Sequence, residues 1–496
     1  MKTLSWNGTE PENPLVPGDA TERDSVKIVN ALFTGLVEYD PQTAEPRNAV
    51  AASIESADSR VYRITLEPGW TFHDGTPVTA ASFTDAWDYT AHGPNGLQGA
   101  EYLSHIDGYA EAQSGSSDRL SGLEVIDDLT FQVTLSAPFS AFVTQLGYAA
   151  FFPLPRAFFT DRAAFERHPV GNGPFAFASH TPGVNIVLRR YDAYAGARKP
   201  RIEGVEFRFY RMLEDAYADV VANKLDYLDF VPADALDGGR YKEELAGRYI
   251  SKPYMGVQSI SFPLYDERFR DPRLRQAISM AIDRQYVIDT AFDGDKMLPD
   301  GLVPPIVPGY GGDAAGELCG YHPERARELF EATGFTGPIE LCSNDDSANQ
   351  VWIDAACRTI TAALGVEARY APVPTFGEFR KLINDQRMTT IFRSGWVADY
   401  PSIENFLNPI FRTGAAVNGS GYSNPEVDAL LAQADAAPTE KEGWELYRQA
   451  ERLILQDMPA IPLWYQRVES GWSTRTRDVS VTPLLQLDLL GVALSD

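Results

Sequence analysis

The sequence predicts a mixed α/β (α+β) chain of two or three domains, and three observations carry that reading. The first half is made of short stretches in which apolar and polar residues alternate, the spacing of half-buried strands. The first long run of helical periodicity starts only at Asp271. Beyond residue 338, strand-like pieces and helical runs take turns, as in α/β units.

Tyr62, Ile64 and Leu66 share one face of a strand whose other face carries Arg63 and Thr65, and Phe131, Val133 and Leu135 repeat the pattern, as do Val205, Phe207 and Phe209. Phe72–Pro77 reads as a turn, with Gly75 suited to positive φ and His73 and Asp74 as its scaffold, leading into a helix capped by Thr79. Asp271 is the N-cap and Pro272 the first residue of a core helix with Leu274, Ala277, Ile278, Ala281 and Ile282 on one face. Its Arg273 and Arg275, with Arg284, are expected to pair on the surface. Residues 294–321, rich in Gly and Pro without periodicity, read as a long surface connection. Strands are expected at 338–342, 367–371 and 390–396, and helices at 348–364, 375–387, 425–436 and 440–457. Thr375 with Glu378 and Thr439 with Glu442 have capping-box spacing, and Asn424-Pro425 marks a further helix start.

Composition narrows the function. The 496 residues are 44% hydrophobic and 23% charged, which excludes disordered, collagenous and coiled-coil chains. A net charge of −26 repels phosphate backbones, and without a basic run no nucleic-acid partner is expected. No apolar window is long enough for a membrane helix. Residues 2–20 have neither the basic nor the apolar region of an export signal; taken literally this reads as cytoplasmic, and a chain trimmed of its signal would look the same.

No nucleophile elbow, dinucleotide fingerprint or phosphate loop is present, so an enzyme is not expected. None of the six His, His73, His92, His105, His168, His180 and His322, pairs at i, i+4, so no metal or cofactor is expected. Asp289, Asp293 and Asp295 lack the closing Glu of a calcium loop and read as a solvated helix end. The stretch Ile391–Tyr400 differs, because it leaves a strand and delivers Arg393, Trp396 and Asp399 within seven residues. Ligands of open sheets are held on such loops. An Arg393–Asp399 surface pair with Trp396 in the core is an equally good reading from these residues alone.

Seven strings stand in a fixed order: Ala31–Tyr39, Gly69–Ala80, Pro169–Phe175, Asp271–Ile278 with Ala281–Arg284, Gly395–Tyr400, Tyr422–Asp428 and Met458–Pro462. Together they resemble the extracellular solute-binding proteins of family 5, the oligopeptide and dipeptide receptors of ABC importers. The resemblance implies a two-lobed, periplasmic-binding-protein type II-like fold with an extra inserted domain. Residues 1–47, 171–262 and 478–496 would form the first lobe, 48–170 its inserted domain and 263–477 the second lobe. It also implies a monomeric receptor that closes around a short peptide and delivers it to ABC permease membrane subunits. The location implied is extracytoplasmic, in the periplasm or lipid-anchored at the cell surface, with the export signal absent from this sequence. A same-fold receptor for a metal chelate, siderophore or oligosaccharide is the alternative, because the family includes such members.

Site residues follow from the same resemblance. Asp399 would pair with the peptide's α-ammonium, Arg393 would meet a ligand carboxylate, and Gly395 and Val397 would offer main-chain groups to an extended peptide. Trp396 would line side-chain pockets, as would Phe376 if a one-residue gap is allowed, and Glu22 and Arg23 would contribute from the opposite lobe. Relatives with a disulfide at the Asp loop carry Cys where this chain has Gly256 and Val397. A Cys319–Cys357 pair is implied by actinobacterial-like relatives, with Cys342 a buried thiol; three unlinked cysteines stand as the alternative.

Overall fold

The computed structural model describes residues 2–345 and 349–495, so the expected helix start at 348 and the terminal residues 1 and 496 of the expected first lobe lie outside it. The chain divides into two units, Met1–Ser251 with Ala436–Thr439 and Glu469–Asp496, and Lys252–Asp435 with Glu440–Val468.

In the first unit, β1 (Thr3–Gly8) is followed by helix α1 (Arg23–Leu32), a small antiparallel pair of β2 (Val37–Tyr39) and β3 (Pro46–Asn48), and then β4 (Ala51–Glu55) and β5 (Val61–Leu66). Helix α2 (Ala80–Ala91), β6 (Leu123–Asp127) and β7 (Thr130–Thr134) complete an antiparallel sheet in the order β4-β5-β7-β6 with a helix on it. The alternation read in the sequence is the cause: Tyr62, Ile64, Phe131 and Val133 are buried, and Phe83 and Trp87 of α2 place their rings 6.0 and 5.7 Å from that of Phe131. Further on, β8 (Phe175–Thr181), β9 (Asn185–Arg190), β10 (Gly204–Phe209) and β11 (Tyr227–Leu228) align as β11-β1-β10-β9-β8, with β1 parallel to β10.

The turn at Phe72–Pro77 forms as expected, with Gly75 at φ 83° and the Asp74 carboxylate accepting from the Thr76 amide and hydroxyl. His73 is scaffold: its Nδ1 accepts from Gly171 N and its Nε2 donates to Gly173 O, each at 3.1 Å. Burial pushes this imidazole down to about 4, so it is neutral at pH 7. Gly171 is glycine because a Cβ there would lie 1.9 Å from Leu32 O.

The second unit contains β12 (Tyr249–Ser261), helix α3 (Pro272–Ala281), β13 (Ile339–Cys342), α4 (Gln350–Leu364), β14 (Ala368–Tyr370), α5 (Phe376–Asn384), β15 (Ile391–Val397), α6 (Glu404–Phe411), α7 (Pro425–Asp435), α8 (Glu440–Asp457) and β16 (Ala460–Trp472). Its strands stand in the order β14-β13-β15-β12-β16. Asp271 caps α3 by accepting from Arg273 N, and Thr375 caps α5 by accepting from Glu378 N.

Two expectations fail in this unit, and the choice left open for the cysteines is decided. Arg273 does pair with Asp271 on the surface, but Arg275 and Arg284 are buried. Arg275 donates to the carbonyls of Phe269, Arg270, Asp457 and Met458, and Arg284 to those of Ser279, Cys319 and Pro462. Helix ends that leave carbonyls unmet, such as those at Phe269, Ser279, Cys319 and Asp457, draw these guanidinium groups inward. The 294–321 segment is not merely superficial, since Leu302, Val303 and Val307 are buried and Glu451, buried on α8, accepts from the amides of Leu302 and Val303. All three cysteines are free thiols, so the Cys319–Cys357 pair does not form; Cys357 instead packs within the apolar core around α3, α4 and β13.

Candidate functional site

A cavity of about 330 Å³ opens within the second unit. Its walls come from β15 (Phe392 to Val397), from Phe376, Phe379, Arg380 and Ile383 of α5, from Phe406, Ile410 and Phe411 of α6, and from Val257, Gln258 and Gln466. Ile391 and Phe392 root β15 in the core, where Phe392 packs with Cys342, Phe379, Ile383 and Met388. Phe376 and Val397 are about half exposed, at 49% and 48%, and form apolar rims.

β15 has one edge paired and one mostly open. It pairs with β12 from Phe392 to Val397 but with β13 only at Ile391 and Phe392. Ala398 N donates to Met255 O, and alternation in an antiparallel ladder then turns the main-chain groups of residues 392, 394 and 396 toward β12. Those of Gly395 and Val397 face the other edge beyond the end of the β13 pairing, where no strand among the described residues pairs with them. Such an edge is chemically ready to accept an extended chain. Gly256 stands directly opposite Val397.

Arg393 makes no ion pair with Asp399; its Nη2 donates to Asn344 Oδ1 at 3.5 Å. Its Nε is buried without a hydrogen-bond partner, and its guanidinium carbon lies 5.9 Å from the Phe379 ring centroid. Burial, and then the like charge of Arg380, lower its pKa from the usual arginine value. Trp396 is not a core residue but lines the cavity, with its indole Nε1 donating to Asn405 Oδ1 at 3.0 Å. The surface-pair reading therefore fails on both counts.

Asp399 does not line the cavity; it stands two residues beyond Val397 in the loop that follows β15. Its amide donates to the same Asn405 Oδ1 at 3.0 Å, and Asn405 Nδ2 approaches its Oδ2 at 3.5 Å. Behind it Tyr400 donates to Glu404 at 2.6 Å, and burial followed by the charge of Asp435 pushes the Glu404 carboxyl up to about 8. Asn405, fully buried in the first turn of α6, thus holds Trp396 and Asp399 together, and nothing in the sequence singled it out.

Glu22 and Arg23 belong to the first unit. Glu22 caps α1, accepting from the amides of Asp24 and Ser25 at 2.6 and 2.7 Å. Arg23 lies 3.4 Å from Asp229 and over the Phe230 ring at 4.3 Å. Asp229 also accepts from Trp6 Nε1 and buried Lys27, so both predicted residues sit at the edge of a structural ion-pair cluster.

Among the described residues no group of acidic, His or Cys side chains is placed to hold a metal, and no helix is long and apolar enough to cross a membrane. The glutathione-binding protein GsiB of Pectobacterium atrosepticum is 26% identical over 488 residues, 95% of this chain and 90% of that protein. YgiS of Escherichia coli, named as a probable deoxycholate-binding periplasmic protein, is 27% identical over 482 residues, 94% of this chain and 88% of that protein. The unliganded open form of the periplasmic murein tripeptide binding protein MppA superposes with a TM-score of 0.86 at 21% identity, covering 99% of this chain and 97% of that one, which establishes the two-lobed α/β binding-protein fold implied by the resemblance. The model for bacterial extracellular solute-binding proteins, family 5, matches residues 45–418. This chain belongs to the bacterial extracellular solute-binding proteins of family 5.

Proposed function

We propose that this protein is the extracytoplasmic receptor of an ABC importer and captures short peptides, without chemical change, for delivery to membrane permease subunits. The observation that carries the reading is the open edge of β15, where Gly395 and Val397 turn main-chain groups outward beside a largely aromatic cavity. Main-chain pairing is indifferent to side chains, which suits a ligand class defined by its backbone. The glutathione-binding relative supports a peptide over the chelate, siderophore or oligosaccharide alternative.

In this reading Asp399 receives the α-ammonium, Arg393 a carboxylate, and Trp396 and Phe376 the side chains, with Glu22 and Arg23 as further contacts from the first unit. Residues 1–47, 171–262 and 478–496 act as one lobe, 48–170 as its inserted domain and 263–477 as the other. The protein works as a monomer and is held at the cell surface or in the periplasm.

Titration calorimetry tests the anchor. Asp399→Asn should weaken binding of a free tripeptide at least tenfold, because a charge-assisted hydrogen bond contributes about 1.5–3 kcal/mol. N-acetylation of the peptide should cost the wild type as much and the variant little. A wild type that binds acetylated and free peptide equally, or that binds deoxycholate and no peptide, refutes the reading.

A further inference from the structure

We propose that Glu404 is a positioning residue of the site: it keeps a proton that fixes the first turn of α6, and through the adjoining Asn405 it makes ligand affinity fall as pH rises. The inference rests on the peptide reading above and adds to it a proton that the captured state requires.

Glu404 opens α6 and is 2% exposed. Its carboxyl accepts from the Tyr400 hydroxyl at 2.6 Å, and among the described residues no cation stands within ion-pair distance of it. The guanidinium of this cluster, Arg412, is paired instead with Asp435 at 2.6 Å. Asp435, at the end of α7, also accepts from Asn408 Nδ2 at 2.9 Å and from the Tyr447 hydroxyl of α8. The further charged groups turned toward the cluster are Asp399, beyond Tyr400, and Glu440, beside Tyr447. Two buried carboxyls thus share one guanidinium with more acid behind them, an arrangement that holds one proton in place.

An unmet acceptor points the same way. Asn408 Oδ1, one turn along α6 from Glu404, is buried without a hydrogen-bond partner, and the Asn408 amide is a hydrogen-bond neighbour of the Glu404 carboxyl. Residues four apart on a helix are neighbours, so a proton retained by Glu404 supplies the donor that this oxygen lacks. The start of a helix favours a negative charge, but burial and then Asp435 oppose it more strongly and push the carboxyl up to about 8.

Loss of the proton sets a second negative charge beside Asp435 and leaves Asn408 Oδ1 unmet. The repulsion falls on the first turn of α6, where Asn405 is the next residue. Asn405 Oδ1 receives both Trp396 Nε1 and Asp399 N at 3.0 Å, so a shift of this turn moves a wall of the cavity and the Asp399 loop together. With only the protonated form competent, apparent affinity follows its fraction, about one in eleven at pH 9 against nearly all at pH 6.

Calorimetry between pH 6 and pH 9 tests this, with whichever of Ala-Ala-Ala, Ala-Phe-Ala and Ala-Lys-Ala the wild type binds at pH 6. The peptide's own amine titrates in this range, so the readout is the ratio of wild-type to Glu404→Gln affinity, in which that titration cancels. The ratio should fall about tenfold from pH 6 to pH 9, because glutamine stays neutral and offers Asn408 the same donor. At pH 8, in buffers of differing ionisation enthalpy, binding should draw about half a proton more into the wild type than into the variant. Should Glu404→Gln not fold, the wild type alone decides: its uptake should exceed by the same half proton the part owed to the peptide amine, titrated free in solution. A ratio constant within twofold, or an uptake without the extra half proton, overturns the positioning role and leaves the peptide reading intact. Failure of the folded wild type to bind any of the three peptides at pH 6 overturns both.

Discussion

Replacing Asn405 by alanine should destabilise the second unit by about 2–4 kcal/mol. The side chain is 1% exposed, and its Oδ1 accepts from the Trp396 indole and the Asp399 amide, both at 3.0 Å. A buried donor left without a partner costs about 1–3 kcal/mol, so two would cost about 2–6 kcal/mol. The half-buried indole regains some hydration through the cavity, which places the expectation in the lower part of that range. Urea denaturation should show a lower midpoint at unchanged slope. A double-mutant cycle with Trp396→Phe, which removes one of the two donors, should return a coupling energy of about 1 kcal/mol. A loss below about 0.5 kcal/mol, or strict additivity in the cycle, would refute the claim that Asn405 ties the cavity wall to the Asp399 loop.

Arg275→Met should cost at least about 3 kcal/mol in thermal or urea unfolding, because it strands buried carbonyls of Phe269 and Met458 that the guanidinium now satisfies; a variant within about 1 kcal/mol of wild type would contradict this. The Glu404 carboxyl is pushed up to about 8 from 4.5, first by burial and then by Asp435, so the folded state binds its proton more tightly than the unfolded chain does. The stability it contributes is full below the unfolded value and is lost as pH rises through the folded one. Melting temperature should therefore fall from about pH 5 to about pH 9, and Glu404→Gln should flatten that fall; Glu451, raised to about 7 by burial, contributes with the same sign and keeps the variant from becoming fully flat. An unchanged pH profile in the variant would show that Glu404 is not protonated in the native protein at neutral pH.

What could be read ahead of the structure was whatever a local rule governs. The α3 start at Asp271-Pro272 and the α5 cap at Thr375 are decided by backbone donors a few residues away, so the spelling of the chain is enough. Strands β5 and β7 follow from alternation, which needs only the two faces of a sheet. Arg275 and Arg284 were misplaced because periodicity counts every arginine as surface, whereas their acceptors include carbonyls up to 183 residues away in the sequence. Leu302 and Val303 were misplaced for the same reason, since what orders them is the Glu451 side chain on α8. At the site, β15 and the loop after it were legible as a strand that delivers Arg, Trp and Asp. The cavity wall from α5 and α6, with Arg380 lining the same cavity as Arg393, and Asn405 were not, because they arise only when these distant elements pack.

Native mass spectrometry of the protein mixed with an equimolar set of di- to pentapeptides tests capture of short peptides most directly. The expected result is one peptide per protein, with the adduct lost when the same set is N-acetylated and the peptide recovered from the complex at its original mass. A spectrum in which the folded protein carries no peptide, or carries acetylated and free peptides alike, would contradict the account.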